Sequence, residues 1–374
     1  MNTRSGIVVV GLFGALLAIP SAARAEDPPR LLSVKKIWDA GKHNAFTDLI
    51  RWRDRWYCSF REAEAHVGGD GQVRVLTSTD GDRWESLALI GETGIDLRDP
   101  KLSVTPDDRL MIVAGGSVYR GGKILLGRQP RVMFSLDGAA WSAPARVLEE
   151  GDWLWRVTWH QGKAYGIAYD AGERQSAAAR KAAESHQVAE PGPADWKLKL
   201  VVSDDGVNYR VLQYLDVPGH PNETTLRFTP EGELIALIRR EGGDTLGWIG
   251  TSRPPYNQWS YAATSYRLGG PNFLILPQGG PPFWASTRVS PGGAKTVLAR
   301  MTRSELEPVL TLPSGGDTSY AGMVWHDGVL WMSYYSSHER KSSIYLARIA
   351  LPELAGRTGQ PPNPGRNDGL ADRR

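Results

Sequence analysis

The sequence contains very little cysteine and almost no net charge. Cys58 is the single cysteine among 374 residues, so the chain cannot form an intramolecular disulfide. The 44 Lys and Arg nearly balance the 41 Asp and Glu, and no stripe of basic residues is present. This charge pattern argues against a nucleic-acid partner. Stability must come from a large core rather than from covalent cross-links.

Motifs for several common chemistries are also missing. The seven histidines include no pair at metal-ligand spacing, and there is no cysteine cluster, so we predict neither a metal centre nor a cofactor. The chain has no Gly-x-Ser-x-Gly elbow, which leaves a serine triad without a supporting motif. Glycine-rich loops of the P-loop or Rossmann kind are absent, which argues against nucleotide binding.

Strongly apolar sequence is confined to the N-terminus. Residues 1–25 combine a basic start at Arg4, an apolar run over residues 7–20 and the small-x-small ending Ala23-Arg24-Ala25. This is the pattern of a cleaved signal peptide; the alternative is an uncleaved membrane anchor, for which the run is short. We therefore expect a mature chain that starts at Glu26, is periplasmic or secreted, and is not held at a membrane after cleavage.

What the sequence does contain in quantity is glycine and aromatic residues, with 42 Gly, 14 Trp and 13 Tyr. Three segments follow one pattern, Ser-x-Asp-Gly-x-x-aromatic: "STDGDRW" from Ser78, "SLDGAAW" from Ser135 and "SDDGVNY" from Ser203. Asp-Gly favours a tight turn, and the Ser and Asp side chains can bond the backbone of that turn. The pattern indicates repeated β-turns of one design.

Six apolar hairpins follow one another at intervals of roughly 50 residues, a spacing typical of four-stranded propeller blades. We expect their second strands to begin at Trp56, Leu110, Ala164, Leu234, Phe283 and Leu330. The sequence thus predicts an all-β fold, a six-bladed β-propeller over residues 26–355, with a β-sandwich as the alternative. Residues 171–195 form an Ala-rich insertion in blade three, expected to be a helix or a mobile loop. Residues 356–374 are expected to be a disordered tail.

Three arginines share one register in these second strands. Aligned at their first apolar residue, the strands place Arg61, Arg239 and Arg288 at the sixth position of blades one, four and five. Because side chains at one register can converge on the propeller axis, the three guanidiniums would suit an anion such as a carboxylate. The alternative is that each arginine forms its own ion pair with a nearby carboxylate.

Further polar side chains lie where the first strands of the blades begin. They include His43 and Asn44 in blade one and Arg98 in blade two, which we predict to bind substrate together with the arginines. Glu223 in "NETTLRF" and Tyr320 in "SYAGM" occupy the corresponding places in blades four and six. A ring of polar residues at one end of apolar blades is typical of a binding site.

With these Ser-x-Asp-Gly turns (Asp-boxes, or BNR repeats), "NETTLRFTPEGELIALIRR" and "SYAGMVWHDGVLWMSYYSS", the chain resembles the sialidase (neuraminidase) superfamily. The resemblance implies that Tyr320 is a nucleophile, that Glu223 is its base and that Asp70 is the acid/base. It also implies that Arg239 and Arg288 bind the substrate carboxylate. The Arg-Ile-Pro type motif that opens blade one in sialidases is replaced here by "HNAFTDLI", which leaves Arg98 or Arg61 as the substitute.

The resemblance implies a secreted retaining exo-glycosidase that removes a terminal sialic acid or a related acidic sugar from a glycan. Sialidases depart from the usual pair of catalytic carboxylates, since a phenol avoids repulsion by the sugar's own carboxylate. Two alternatives remain: a non-catalytic carbohydrate-binding propeller with Trp153, Trp155, Trp284 and Trp331 as stacking faces, and a scaffold that uses the propeller rim.

Overall fold

Every regular element of the described chain is a β-strand. The computed structural model describes residues 27–68, 71–121, 124–170, 196–279 and 281–352, and residues Pro29–Leu351 form one compact unit. No helix in these ranges has the length and hydropathy of a membrane span. The strands are β1 (Arg30–Trp38), β2 (His43–Trp52), β3 (Arg55–Ala63), β4 (Gln72–Ser78), β5 (Glu85–Ile90), β6 (Asp96–Val104), β7 (Leu110–Arg120), β8 (Ile124–Ser135), β9 (Ala145–Arg146), β10 (Asp152–His160), β11 (Lys163–Asp170), β12 (Lys197–Ser203), β13 (Tyr209–Leu215), β14 (Pro221–Phe228), β15 (Leu234–Arg240), β16 (Trp248–Ser252), β17 (Trp259–Ala263), β18 (Asn272–Leu274), β19 (Phe283–Val289), β20 (Lys295–Met301), β21 (Leu306–Thr311), β22 (Thr318–His326), β23 (Val329–Ser336) and β24 (Ser343–Ala350).

These strands form six four-stranded antiparallel sheets, one per blade. Blades one to five each take four consecutive strands, from β2–β5 through β18–β21. Blade six has the order β1-β24-β23-β22, so the first strand of the chain completes the last sheet. This pairing closes the ring and leaves no blade at a free end. The predicted all-β, six-bladed propeller is confirmed.

The predicted hairpins are the two inner strands of each blade. The second strands β7, β15 and β19 begin at Leu110, Leu234 and Phe283, as expected, and the other three begin one residue before the predicted position. The predicted signal peptide at 1–25, the predicted insertion at 171–195 and the predicted tail at 356–374 lie outside the described residues. Leu110, Leu234 and Phe283 are fully buried, because the second strand packs against neighbouring blades on both faces.

The Ser-x-Asp-Gly segments are turns at the outer ends of blades one to three. In the first, the Gly81 N–H donates to Ser78 Oγ at 2.8 Å, and Asp80 Oδ1 accepts from two following backbone N–H groups at 2.7 and 2.9 Å. Trp84 Nε1 donates to the Gly81 carbonyl at 3.1 Å and closes the turn. Gly81 has φ of 72°, a conformation that favours glycine. Turns of this kind link strands three and four far from the axis.

Candidate active site

A repeated backbone irregularity builds the centre of the propeller. In five blades of the described chain, two residues of the first strand lie opposite one residue of the second, which is a β-bulge. The bulged pairs are Phe46-Thr47, Asp99-Pro100, Trp155-Arg156, Asn222-Glu223 and Tyr320-Ala321. A bulge redirects a side chain that regular alternation would place elsewhere. Tyr320 and Glu223 both owe their positions to such bulges.

Tyr320 and Glu223 meet directly. The Tyr320 hydroxyl donates to Glu223 Oε1 at 2.6 Å, and both side chains are more than nine-tenths buried. The second oxygen, Oε2, accepts from Arg239 Nη1 at 2.7 Å and from the Gly270 N–H at 2.9 Å. A Cβ on Gly270 would lie 2.6 Å from the Tyr320 ring, so only glycine allows this approach. The structure thus places a phenol against an oriented carboxylate.

The backbone of Tyr320 is strained. Its φ is 57°, in the left-handed region, which costs a non-glycine residue about 1–3 kcal/mol. Phe46 and Asp99 share this conformation, with φ of 65° and 50°. Strain of this kind persists where packing enforces it, and here the Phe46 and Trp155 rings lie 4.9 and 5.6 Å from the Tyr320 ring, centroid to centroid. The surrounding aromatic rings hold the phenol in place.

The charges around this pair set its protonation. Burial by itself raises the pKa of Glu223, but Arg239, the Tyr320 hydroxyl and the Gly270 N–H outweigh burial and hold that pKa below its ordinary value. Burial and the Glu223 charge together raise the pKa of Tyr320 well above its ordinary value. Glu223 is therefore ionised and Tyr320 protonated at neutral pH, which is the starting state for a base and a latent nucleophile.

The arginines of the pocket differ in how far they are engaged. Arg239 binds Glu223, donates to the Tyr320 hydroxyl at 3.2 Å and forms a second ion pair with Glu241. Arg288 is half-buried, and its hydrogen bond is from Nη1 to the Thr318 carbonyl at 3.1 Å. No carboxylate of the described chain forms an ion pair with Arg288. Arg288 is thus the arginine best able to take an external anion.

Arg61 has a different environment from the one expected of a substrate ligand. Its side chain is fully buried, and it binds both oxygens of Asp96, at 2.7 and 2.9 Å. Its third nitrogen donates to the Ala65 carbonyl at 2.7 Å. Arg61 lies in blade one and Asp96 in blade two, so this ion pair joins the two blades. No nitrogen of the guanidinium is left for a substrate in this conformation. The alternative considered from the sequence, that each arginine forms its own ion pair, therefore fits Arg61 better than anion binding does.

Arg98 and Asn44 are also held by the protein. Arg98 donates to the His66 carbonyl at 2.9 Å and to Asp96 at 3.2 Å. Asn44 is fully buried and donates to the carbonyls of Gly41 and Ser342, both at 2.9 Å. Asn44 therefore joins blade six to blade one instead of facing a ligand. Asn44 therefore has no open donor for a substrate, and the protein engages one terminal nitrogen of Arg98.

Two buried groups lie next to Tyr320: Lys101, which the sequence did not single out, and Asp99, which belongs to the ring of polar residues at the strand starts but has no predicted role. Lys101 Nζ lies 5.7 Å from the centre of the Tyr320 ring, and burial lowers its pKa to about 8. Asp99 is buried, and burial raises its pKa above the ordinary value. Its Oδ1 has no hydrogen-bond partner in the described residues. The bulge at Asp99-Pro100 that positions this carboxyl depends on pairing with β7, which sequence patterns do not report.

Asp70, the expected acid/base, lies outside the described residues. His43 lies at the rim, where its Nε2 is 3.4 Å from Asp317 Oδ2. His66 Nδ1 is 2.6 Å from the same oxygen. These residues are far apart in sequence, so spacing gave no sign of the cluster. The absence of a metal motif in the sequence does not exclude this grouping, because the propeller fold assembled it.

The tryptophans considered as sugar-stacking faces belong to the core. Trp153, Trp155, Trp284 and Trp331 are at most 9% exposed. Trp155 and Trp331 pack in the cluster that surrounds the axis, and Trp284 packs between blades five and six. They therefore present no open ring to a sugar, which removes the main support for a stacking lectin-like site.

Solved structures share the fold of this chain, although its sequence matches no known family. No protein-family model and no curated protein matches the chain. A protein of unknown function from Dyadobacter fermentans superposes with a TM-score of 0.70 at 18% identity, over 87% of this chain and 99% of the other. The chain shares a sialidase-like propeller fold.

Two further structures support that statement. An α-L-arabinofuranosidase from Fusarium graminearum superposes with a TM-score of 0.62 at 13% identity, over 85% of this chain and 97% of the other. The Trypanosoma rangeli sialidase in complex with sialic acid gives 0.62 at 12% identity, over 88% of this chain but 59% of its own length. Both are propellers that cleave glycosides, and at this identity the likeness concerns the fold alone.

Proposed function

We propose that this protein is a retaining exo-glycoside hydrolase that removes a terminal acidic sugar, of the sialic acid kind, from a glycan. The observation that supports it best is the 2.6 Å hydrogen bond from the Tyr320 hydroxyl to Glu223. Export by the N-terminal segment, to the periplasm or the outside of the cell, is part of the same proposal.

The phenol–carboxylate pair suits a substrate with a carboxylate on its anomeric carbon. Such a sugar repels an anionic nucleophile, and a neutral phenol avoids that repulsion. As the Tyr320 oxygen bonds to the anomeric carbon, Glu223 Oε1 accepts the phenolic proton and the glycosidic C–O bond breaks. The large pKa difference between the two groups means that the proton moves with bond formation and not before it.

The second half of the reaction restores the enzyme. Asp70, assigned by resemblance, would already have protonated the leaving oxygen in the first half, and it now takes a proton from the water that attacks the anomeric carbon. The bond to Tyr320 breaks, and Glu223 returns its proton to the phenolate. Arg288 would bind the sugar's carboxylate through the nitrogens that form no hydrogen bond within the described residues, and Arg239, which also donates to the Tyr320 hydroxyl, would stabilise negative charge that develops on the phenolic oxygen.

The test is release of 4-methylumbelliferone from its α-sialoside by the purified protein. Its α-L-arabinofuranoside and β-glucuronide serve as neutral and acidic alternatives. We expect hydrolysis of an acidic glycoside and a loss of at least about 10³-fold in kcat for Tyr320→Phe, the scale seen when a hydrolase loses its nucleophile. Tyr209→Phe is the matched control, because that buried hydroxyl lies on β13 and has no partner in the described residues.

Three results would contradict the proposal. If Tyr320→Phe retains activity, Tyr320 is not the nucleophile. If the arabinofuranoside alone is cleaved, the site binds a neutral sugar. The ion pairs of Arg61, Arg98 and Arg239 with carboxylates of the protein would then explain why an acidic sugar is not bound. Absence of hydrolysis with all three glycosides would leave a non-catalytic glycan-binding propeller as the function.

A further inference from the structure

The rim of the pocket contains a cluster of three possible metal ligands, His43, His66 and Asp317. His43 opens β2, His66 lies in the loop after β3, and Asp317 immediately precedes β22. One ligand atom from each lies within 4.8 Å of the others. Two blades and a loop thus converge on one point, an arrangement that no local sequence motif creates.

We propose that these three residues bind a divalent transition-metal ion. Two imidazoles and one carboxylate form a ligand set that suits zinc and its neighbours in the first transition series. Metal–ligand bonds of about 2.1 Å in a tetrahedral site put ligand atoms about 3.4 Å apart. The His43 Nε2 to Asp317 Oδ2 distance is 3.4 Å, and the shorter His66 contact of 2.6 Å would open as the ion enters.

The surroundings of Asp317 orient it for this role. The Tyr335 hydroxyl donates to Oδ1 at 2.6 Å, which leaves Oδ2 facing the two imidazoles. The Asp317 N–H donates to Ser337 Oγ at 2.8 Å and fixes the backbone. Hydrogen bonds of this kind, from outside the ligand set, are typical of metal-binding carboxylates. Neither Lys nor Arg forms an ion pair with Asp317 in the described chain, so its charge is available to a cation.

The cluster is also partly open to solvent. The His66 side chain is 48% exposed and that of Asp317 is 31% exposed, so solvent or substrate reaches one side of the site. Three protein ligands with an open fourth position are typical of zinc sites that bind a substrate atom. The geometry therefore fits a functional ion better than a closed structural one.

The position of the cluster indicates what the ion would do. The Phe46 ring lies 5.3 Å from the His66 ring and 4.9 Å from the Tyr320 ring, so one aromatic ring separates the cluster from the reactive phenol. Around that phenol, Arg61 and Arg98 share the carboxylate of Asp96, and Arg239 pairs with Glu223. A bound cation would add a positive charge at the rim and hold carboxylate or hydroxyl oxygens of the sugar. This role, unlike the binding of the ion, rests on the proposed function.

The experiment is a calorimetric titration of the chelator-treated full chain with zinc chloride, with cobalt chloride as a spectroscopic probe. We expect one zinc per chain and a visible cobalt absorption typical of a four- or five-coordinate site. His66→Ala and Asp317→Asn should each weaken zinc binding at least about 100-fold, since a ligand matters more than the 10–100-fold effect of its supporting residues. His326→Ala is the matched control, because His326 Nε2 lies 3.1 Å from Asp327 at the opposite end of the same blade.

The outcomes separate this inference from the proposed function. No zinc binding, or equal binding by the wild type and both ligand variants, overturns the metal site whether or not a glycoside is cleaved. Zinc binding that both ligand variants lose and His326→Ala keeps establishes the site, even if no glycoside is hydrolysed. If hydrolysis is found, removal of zinc should raise KM more than it lowers kcat, and an unchanged KM would refute the substrate-binding role.

Discussion

Replacement of Asp96 by asparagine is the sharpest test of how the structure uses its buried arginines. Asp96 Oδ1 and Oδ2 accept from Arg61 Nε and Nη2 at 2.7 and 2.9 Å, and Arg98 Nη1 adds a contact at 3.2 Å. Asp96 and Arg61 side chains are fully buried. Asp96→Asn keeps the shape of the side chain, removes its charge and leaves the buried Arg61 guanidinium without its ion-pair partner.

The size of the effect follows from burial. Removing one partner of a buried ion pair costs about 3–5 kcal/mol, because the remaining charge stays out of water. With an m-value of about 3 kcal/mol/M in urea, the unfolding midpoint should fall by about 1–1.7 M. Asp54→Asn is the control: Asp54 pairs with Arg51 at 3.3 Å but is 99% exposed, and an exposed pair is worth about 0–1 kcal/mol.

The assay is urea unfolding followed by tryptophan fluorescence, with wild type, Asp96→Asn and Asp54→Asn measured side by side. If Asp96→Asn costs less than about 1 kcal/mol, Arg61 is not committed to a buried pair. The sequence-based assignment of Arg61 to the substrate carboxylate would then regain its support. A loss of stability in Asp96→Asn that Asp54→Asn does not show supports a structural role for Arg61.

Three further changes follow from the structure. Arg288→Gln should raise KM for an acidic glycoside by about 10–100-fold, as expected for a lost charged hydrogen bond, and an equal change with a neutral glycoside would contradict this role. Asp80 has its pKa lowered from 3.8 to about 2 by the backbone N–H groups of its turn. Its contribution to stability is therefore present above pH 4 and lost as the pH falls toward 2, so melting curves of Asp80→Asn and wild type should converge there. Gly322→Ala should destabilise by about 3 kcal/mol in urea unfolding, because its Cβ would lie 2.0 Å from the Leu49 backbone nitrogen, whereas Gly315→Ala meets nothing closer than 3.5 Å.

The structure explains why parts of the site could be predicted and others could not. Tyr320 and Glu223 lie near the starts of the first strands of blades six and four, and the order of the strands along the chain fixes those blades. The positions of these two residues could therefore be predicted from the sequence. Arg61 and Arg239 share a register in their strands, but their partners, Asp96 and Glu223, come from other strands. A register pattern reports where a side chain points and not which carboxylate reaches it.

By itself, the sequence determined the architecture. Apolar strands, tight turns and a period of about 50 residues are local properties, so the repeated four-stranded sheets follow from short-range preferences and burial. Closure of the ring is a long-range contact, because β1 pairs with β24. Only the tertiary structure decided the chemistry of the centre. The bulges at Tyr320 and Glu223 depend on how two strands of one blade pair. The Gly270 contact, the Asp96 ion pair and the His43–His66–Asp317 cluster join residues from different blades, and their geometry is fixed by packing at distances that no sequence window spans.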